Sequence, residues 1–215
     1  MSKTEPIIIS ESNPLKIHGA GAGLSMSAWL KVYPDRLEYT DGSKSLTCDF
    51  LAIERIGWSY TDTMVSGVPV KKDAKLWLYL RGRTKPLLLA YSRIWGNSEE
   101  IVLAYTFIAS KTFYNRMRHY TIQIERSGSF EYDNCTFHLD GRVVSKGKTF
   151  NLVKAKQKDF NLVIKQGGFL SRKLTIDPST DGDIIKKLFE FIRQRLKKPS
   201  EYTNPEDFIL GVVRQ

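Results

Sequence analysis

The chain has 215 residues, 41% hydrophobic and 12% aromatic, with a formal net charge of +10 and a pI near 9.5. That much apolar material excludes a disordered protein, and the length suits one large domain or two of about 100 residues each. No run approaches the roughly 20 apolar residues of a spanning helix, and Ile7, Ile8 and Ile9 are too short a patch for a signal-peptide core. The expected location is therefore the cytoplasm, with peripheral association at a membrane left open by the charge.

Residues 1–25 read as an extended lead-in, in which Pro6 and Pro14 flank the isoleucines and Gly19-Ala20-Gly21-Ala22-Gly23 makes a flexible loop or strand-edge turn. The tract is no phosphate loop, because no Gly-Lys-Ser/Thr follows it and the next segment is strand-like. Strand signals follow at residues 28–33 and 36–40, reversed at Pro34-Asp35, and Asp41-Gly42 supplies the next hairpin turn. Strands at 45–50 and 52–60 come next, the second with Ile53, Ile56 and Trp58 on one buried side. Residues 61–73, containing Gly67, Pro69, Lys71 and Lys72, read as a long loop and a candidate binding loop.

Residues 75–81 and 86–91 form a further strand pair around a bend at Gly82-Arg83-Thr84. A helix is predicted over 98–118, with Asn97 as its cap and Glu100 reaching back to it. Ile101, Tyr105, Ile108 and Thr112 share one helical face, and Arg116 and Arg118 are the cations expected near a helix C-terminus. The alternation at 120–126 predicts a new strand, which places a domain boundary just before it.

Strands are then predicted at 135–139, 142–144, 148–154, 160–165 and 172–176, with a second Asp-Gly turn at Asp140-Gly141. An amphipathic helix over 183–198 carries Ile185, Leu188, Phe189, Ile192 and Leu196 on one face and is stopped by Pro199. The carboxylates Asp177, Asp181 and Asp183 are accounted for by the turn and first turn of this helix. Residues 208–213 of the tail dock on the body or on a partner. The organisation read from this is a lead-in (1–25), a first domain (26–118), a second (119–198) and a tail (199–215).

Strands, an Asp-Gly turn, more strands and one closing helix thus occur twice. This order resembles the pleckstrin-homology-like superfold in two tandem copies, over residues 26–198. The resemblance implies an α+β protein of two strand-rich, partly open barrels or sheets, each closed by a C-terminal amphipathic helix. It also implies a role in binding phosphoinositides, peptides or other proteins, without catalysis.

Nothing in the residues themselves names a reaction. His18, His119 and His138 are scattered, and neither a Gly-x-Ser-x-Gly elbow nor a Cys beside a His is present. The expectation is a non-enzymatic protein without cofactor or metal. Cys48 and Cys135 are two thiols in strand-like segments, expected to be reduced and buried.

The basic residues carry the functional hint. Lys146, Lys148, Lys154, Lys156 and Lys158 fall on or beside one hairpin, and Lys165, Arg172 and Lys173 belong to the next. If the segment is extended, Lys154, Lys156 and Lys158 emerge on one face as a stripe. Such a stripe holds an acidic protein surface, anionic lipid or nucleic acid, the last with Phe150 and Phe160 as flanking stacking residues. The structural alternative is an edge strand protected by lysines, with Phe150 and Phe160 in the core.

Overall fold

Every second residue of the first three strands turns inward: Leu15 and Ile17, then Ala28, Leu30 and Val32, then Leu37 and Tyr39 are buried. In the computed structural model, which describes residues 8–20, 28–42, 44–65, 68–93, 99–158, 161–166 and 172–211, these residues belong to an antiparallel meander. Its strands are β1 (Leu15–Gly19), β2 (Ala28–Val32), β3 (Arg36–Asp41) and β4 (Lys44–Asp49). The lead-in predicted at 1–25 therefore contains a strand, because Leu15 and Ile17 bury as β1 pairs with β2. Gly42 turns the chain after Asp41 with φ of 59°, as the Asp-Gly signal requires.

A 3₁₀ turn at Phe50–Ala52 follows, capped by Asp49, whose Oδ1 accepts the Ala52 N–H at 2.9 Å. Beyond it, β5 (Ile53–Val65), β6 (Val68–Leu80) and β7 (Leu87–Arg93) form a second antiparallel meander. The loop predicted at 61–73 is thus mostly strand. The ladder runs from Ile53↔Leu80 to Val65↔Val68, and its hydrogen bonds override the polar local composition. Pro69, which has no N–H to give, sits beside the register irregularity at Thr63/Met64.

The helix α1 (Glu99–Ser127) contributes Ile101, Ala104 and Ile108 to one cluster with Leu30, Leu37, Ile56, Leu76, Leu78 and Leu89. The two sheets also meet directly, where Ala20 and Ala90 exchange two backbone hydrogen bonds of 2.7 Å. This contact needs a glycine beside it, since a Cβ on Gly19 would lie 2.5 Å from the Ala90 carbonyl oxygen.

Contacts divide the chain into two compact units, residues 1–113 and 114–215, and the division falls within α1. The strand predicted at 120–126 is helix. Tyr120, Thr121 and Ile124 are buried at a spacing that one helical face provides, whereas a strand would have buried Tyr120, Ile122 and Ile124.

The second unit continues with β8 (Ser129–Tyr132), β9 (Cys135–His138), β10 (Arg142–Ser145) and β11 (Lys148–Asn151) in one meander. A 3₁₀ turn at Leu152–Lys154 leads to β12 (Ala155–Lys158), β13 (Asn161–Gln166) and β14 (Arg172–Ile176) in another. The continuous strand predicted at 148–154 is interrupted because Asn151 caps this turn, its Oδ1 accepting the Val153 N–H at 2.9 Å. Among the described residues both units therefore run four strands, an Asx-capped 3₁₀ turn and three strands, and no sheet closes into a barrel.

Helix α2 (Gly182–Lys197) buries Ile184, Ile185, Leu188, Phe189 and Ile192. Phe189 meets Phe137 and Phe130, with ring centroids 4.9 and 6.4 Å away. The tail read at 199–215 holds a further helix, α3 (Pro205–Leu210), capped by Asn204 and docked on α2 through Phe208 against Phe191. Asn97, Trp95, Phe160 and residues 212–215 lie outside the described residues.

Arg116, expected near a helix end, is in mid-helix and fully buried. Its guanidinium donates to Asp181 Oδ1 (3.0 Å) and to both oxygens of Asp183 (2.9 and 2.8 Å), while Tyr120 Oη donates to Asp181 Oδ2 (2.8 Å). Burial by itself favours the neutral guanidine, yet the hydrogen bonds and charges of Asp183 and Asp181 raise its pKa further. Asp181 is thus more than a helix-end residue. It carries φ of 49° at the N-cap position, and its side chain makes no cap hydrogen bond, the carboxylate being turned to Arg116 and Tyr120.

Replacing Asp181 with Ala leaves Arg116 short of an acceptor inside the protein and is expected to cost about 3 kcal/mol or more in urea unfolding. Tyr120→Phe removes one hydrogen bond to a charge and should cost about 1.5 kcal/mol. Wild-type stability in both variants would show that the network contributes nothing.

Candidate anion-binding face

The lysines singled out by sequence separate into distinct places. Lys146 and Gly147 form the β10–β11 turn, both with positive φ (48° and 70°), and Lys148 opens β11, paired with Ser145. Lys154 is exposed on the 3₁₀ turn and so does not continue the strand that carries Lys156 and Lys158. The five lysines therefore do not share one hairpin. The capped turn carries the chain from one sheet to the other between Lys148 and Lys156. Lys71 and Lys72 occupy positions in β6, opposite Thr63 and Asp62, and are not loop residues.

The second three-stranded sheet makes a grouping of its own. Residues directly opposite in an antiparallel pair point to the same face, and so do residues two apart along a strand. Lys156 is opposite Val163, Val163 is opposite Thr175, and Lys165 is opposite Lys173. Lys156, Lys165 and Lys173 consequently share the face of Val163, which is itself buried, away from Leu162, Ile164 and Ile176, and all three lysines are exposed around it. Lys158 is opposite Asn161 at the end of β12, and exposed Arg172 is opposite Gln166, at the register parity of Ile164.

Lys165 and Lys173 place like charges in direct opposition, with Cβ atoms about 5 Å apart, an arrangement that costs a few tenths of a kcal/mol to about 1 kcal/mol. The first unit contains the same juxtaposition with a remedy. There Lys16 is opposite Lys31, and Glu38 on the next strand is opposite Lys31, with Nζ–Oε2 of 3.5 Å. Among the described residues β14 is the edge of its sheet, and no next strand supplies an acid. Among the described residues no carboxylate pairs with Lys156, Lys165 or Lys173.

The charge surplus lies mainly in this unit. Residues 114–215 carry 19 Lys and Arg against 12 Asp and Glu, a net +7 of the chain's +10.

Phe150 is 5% exposed and belongs to the core, so it offers no face for stacking a base. His18 packs on Trp29 with centroids 4.3 Å apart, His119 meets Tyr120 edge-on, and His138 is on β9. Among the described residues no three His, Cys, Asp or Glu side chains gather as a metal-ion site. Both thiols are free: Cys135 is buried and Cys48 half-buried. Burial pushes both pKa values up, with Arg83 pulling Cys48 and a hydrogen bond with Ser145 pulling Cys135 partly back.

No family model matches the chain, and the search of curated proteins gives no match.

Reversing one charge separates stability from binding. Lys173→Glu turns the repulsive pair into an attractive one and should stabilise the fold by a few tenths of a kcal/mol in urea unfolding, while weakening any anion held by this face. A destabilised variant would show that Lys173 is held by contacts other than those seen here. The thiols give a second check. Their raised pKa values leave little thiolate at neutral pH, so iodoacetamide should label native protein slowly and urea-unfolded protein fully, as read by mass spectrometry.

Proposed function

We propose that this protein is a non-enzymatic binding or scaffold module that engages an acidic partner, with Lys156, Lys165 and Lys173 as the contact face in its second unit. The observation that carries the reading is the Lys165↔Lys173 opposition. A sheet that keeps two cations face to face with no acid paired to them among the described residues lowers its own stability, and an external anion removes that cost. Further support comes from the order of four strands and then three in each unit, on which the pleckstrin-homology-like reading of the sequence rests its binding role.

A protein with an acidic surface is the preferred partner. Burial of Phe150 weakens the nucleic-acid alternative, and the strand positions of Lys71 and Lys72 weaken a membrane contact built on a basic loop. No helix among the described residues is long and apolar enough to cross a membrane.

The test is retention of purified protein on poly-glutamate, on phosphatidylserine vesicles and on single-stranded DNA, side by side across a salt series. Poly-glutamate should retain it most strongly, with an affinity that falls as salt rises and is lost in the K156E/K165E/K173E variant. If DNA is the partner instead, the logarithmic salt slope of the variant should be shallower by about one for each lysine that contacts a phosphate. Retention on none of the three, or retention unchanged in the triple variant, refutes the proposed face.

A further inference from the structure

The first unit carries a second feature that the lysine face does not explain. Strand β4 is the last strand of its sheet, and its Lys44, Ser45 and Leu46 line one groove with Leu87 and Leu88 of β7, whose outer side is bonded to Ala20 at Ala90. The groove has a volume of about 760 Å³, within the range of ligand-binding clefts. Tyr39, Leu46 and Leu88 give it an apolar floor, and Tyr39 Oη donates to the Leu88 carbonyl at 2.8 Å. That bond already satisfies a main-chain acceptor at the base of the groove.

Burial along β4 shows what the edge lacks. Leu46 and Cys48 are half-buried against the core, while Ser45 and Thr47 on the opposite face are exposed. This is the pattern of a strand with one buried face, yet among the described residues only β3 pairs with it. The core therefore reaches the surface along β4, beside a row of main-chain donors and acceptors without a strand partner.

The charge around the groove is one-sided. Lys44, Arg83 and Lys85 line it, all exposed, against the single acid Asp41. Arg83 is also close enough to β4 for its charge to act on Cys48.

We propose that this groove receives an acidic peptide in extended conformation, which adds to β4 as a fifth strand and presents acidic side chains to Lys44, Arg83 and Lys85. Main-chain hydrogen bonds would provide affinity and the alternation of side chains specificity: apolar residues over Leu46, acidic residues toward the cations. A bare anion would leave the apolar floor and the strand edge uncovered, which is why a peptide fits better than a phosphate group. The site shares no residue with the lysine face of β12–β14 and does not depend on it.

The probe is a fluorescein-labelled peptide of alternating valine and glutamate, about ten residues long to span β4, read by fluorescence anisotropy on the full chain. A lysine-for-glutamate peptide and a peptide N-methylated at alternate residues serve as controls. Wild-type protein should bind the first peptide and neither control, and amide resonances of Lys44–Asp49 should shift on binding. K44E/R83E/K85E, whose positions are all exposed, should fold normally by circular dichroism and bind at least about tenfold more weakly. K156E/K165E/K173E should bind as wild type.

Absence of binding, or equal binding of the N-methylated peptide, overturns strand addition. Loss of binding in K156E/K165E/K173E with retention in K44E/R83E/K85E moves the peptide to the lysine face and overturns the groove. Phosphatidylserine vesicles that bind through Lys44, Arg83 and Lys85 and are not displaced by the peptide would mark the groove as a lipid headgroup site, and overturn the proposal in favour of that ligand.

Discussion

A fully buried guanidinium holds the second unit together. Removing an arginine from water is costly, and Arg116 tolerates it because Asp181 and Asp183 supply three acceptor contacts of 2.8 to 3.0 Å. Tyr120, one helical turn further along, donates to the remaining oxygen of Asp181. Arg116 and Tyr120 can converge on one carboxylate only if the chain between and beyond them is helical. The same demand holds Asp181 in the left-handed region, at the point where the chain enters α2. Tyr132 reinforces that point from β8, its hydroxyl meeting the carbonyls of Asp177 and Thr180 at 2.8 Å each. The aromatic core of Phe130, Phe137 and Phe189 then closes between the first sheet of the unit and α2.

Within this plan the two units treat their edges and charges differently. Each lays four strands and then three, joined by a 3₁₀ turn whose preceding Asp49 or Asn151 accepts a main-chain N–H. In the first unit a cross-strand lysine pair is neutralised by Glu38 on the next strand. In the second, Lys173 of the pair Lys165 and Lys173 is on the edge strand β14, and Lys156 is on β12, next to the strand of Lys165. Charge left unbalanced on a folded surface lowers stability slightly and attracts counter-charges over about a Debye length, near 10 Å at moderate salt. The local rule that a cross-strand cation finds an acid is met at Lys31 and Glu38 and not, among the described residues, at Lys165 and Lys173.

Much of the secondary structure was legible. The spacing of Ile185, Leu188, Phe189 and Ile192 identified α2, and Asp41-Gly42 and Asp140-Gly141 marked turns whose glycines take positive φ. The alternation in 28–32 and 36–40 identified β2 and β3 together with their buried face. The errors have definite causes. Residues 120–126 alternate like a strand, but Tyr120 and Ile124 also fall one helical turn apart, and only burial against the second core selects between the two periods. Residues 61–73 carry Gly67, Pro69 and two lysines, yet cross-strand pairing places Thr61–Val65 in β5 and Val68–Asp73 in β6.

The candidate site shows the same division. Lysines at alternating positions predicted a basic stripe, and Lys156 is part of a basic face. Lys154 is not, because Asn151 caps a turn that takes the chain out of the strand. The neighbours of Lys156 on that face, Lys165 and Lys173, meet only through the register of β13 against β14, and side-chain direction reverses with a slip of one residue. Likewise the groove joins Lys44 to Arg83 and Lys85 across some 40 positions of sequence, by bringing β4 beside Leu87 and Leu88 of β7. Composition, periodicity and turn chemistry are local properties, so the sequence by itself determined the charge, most of the strands and helices and the amphipathic face of α2. Register, burial of a charge and the approach of separate strands depend on residues far apart in the chain, so only the tertiary structure decided which cations face one another and which strand edge has no partner among the described residues.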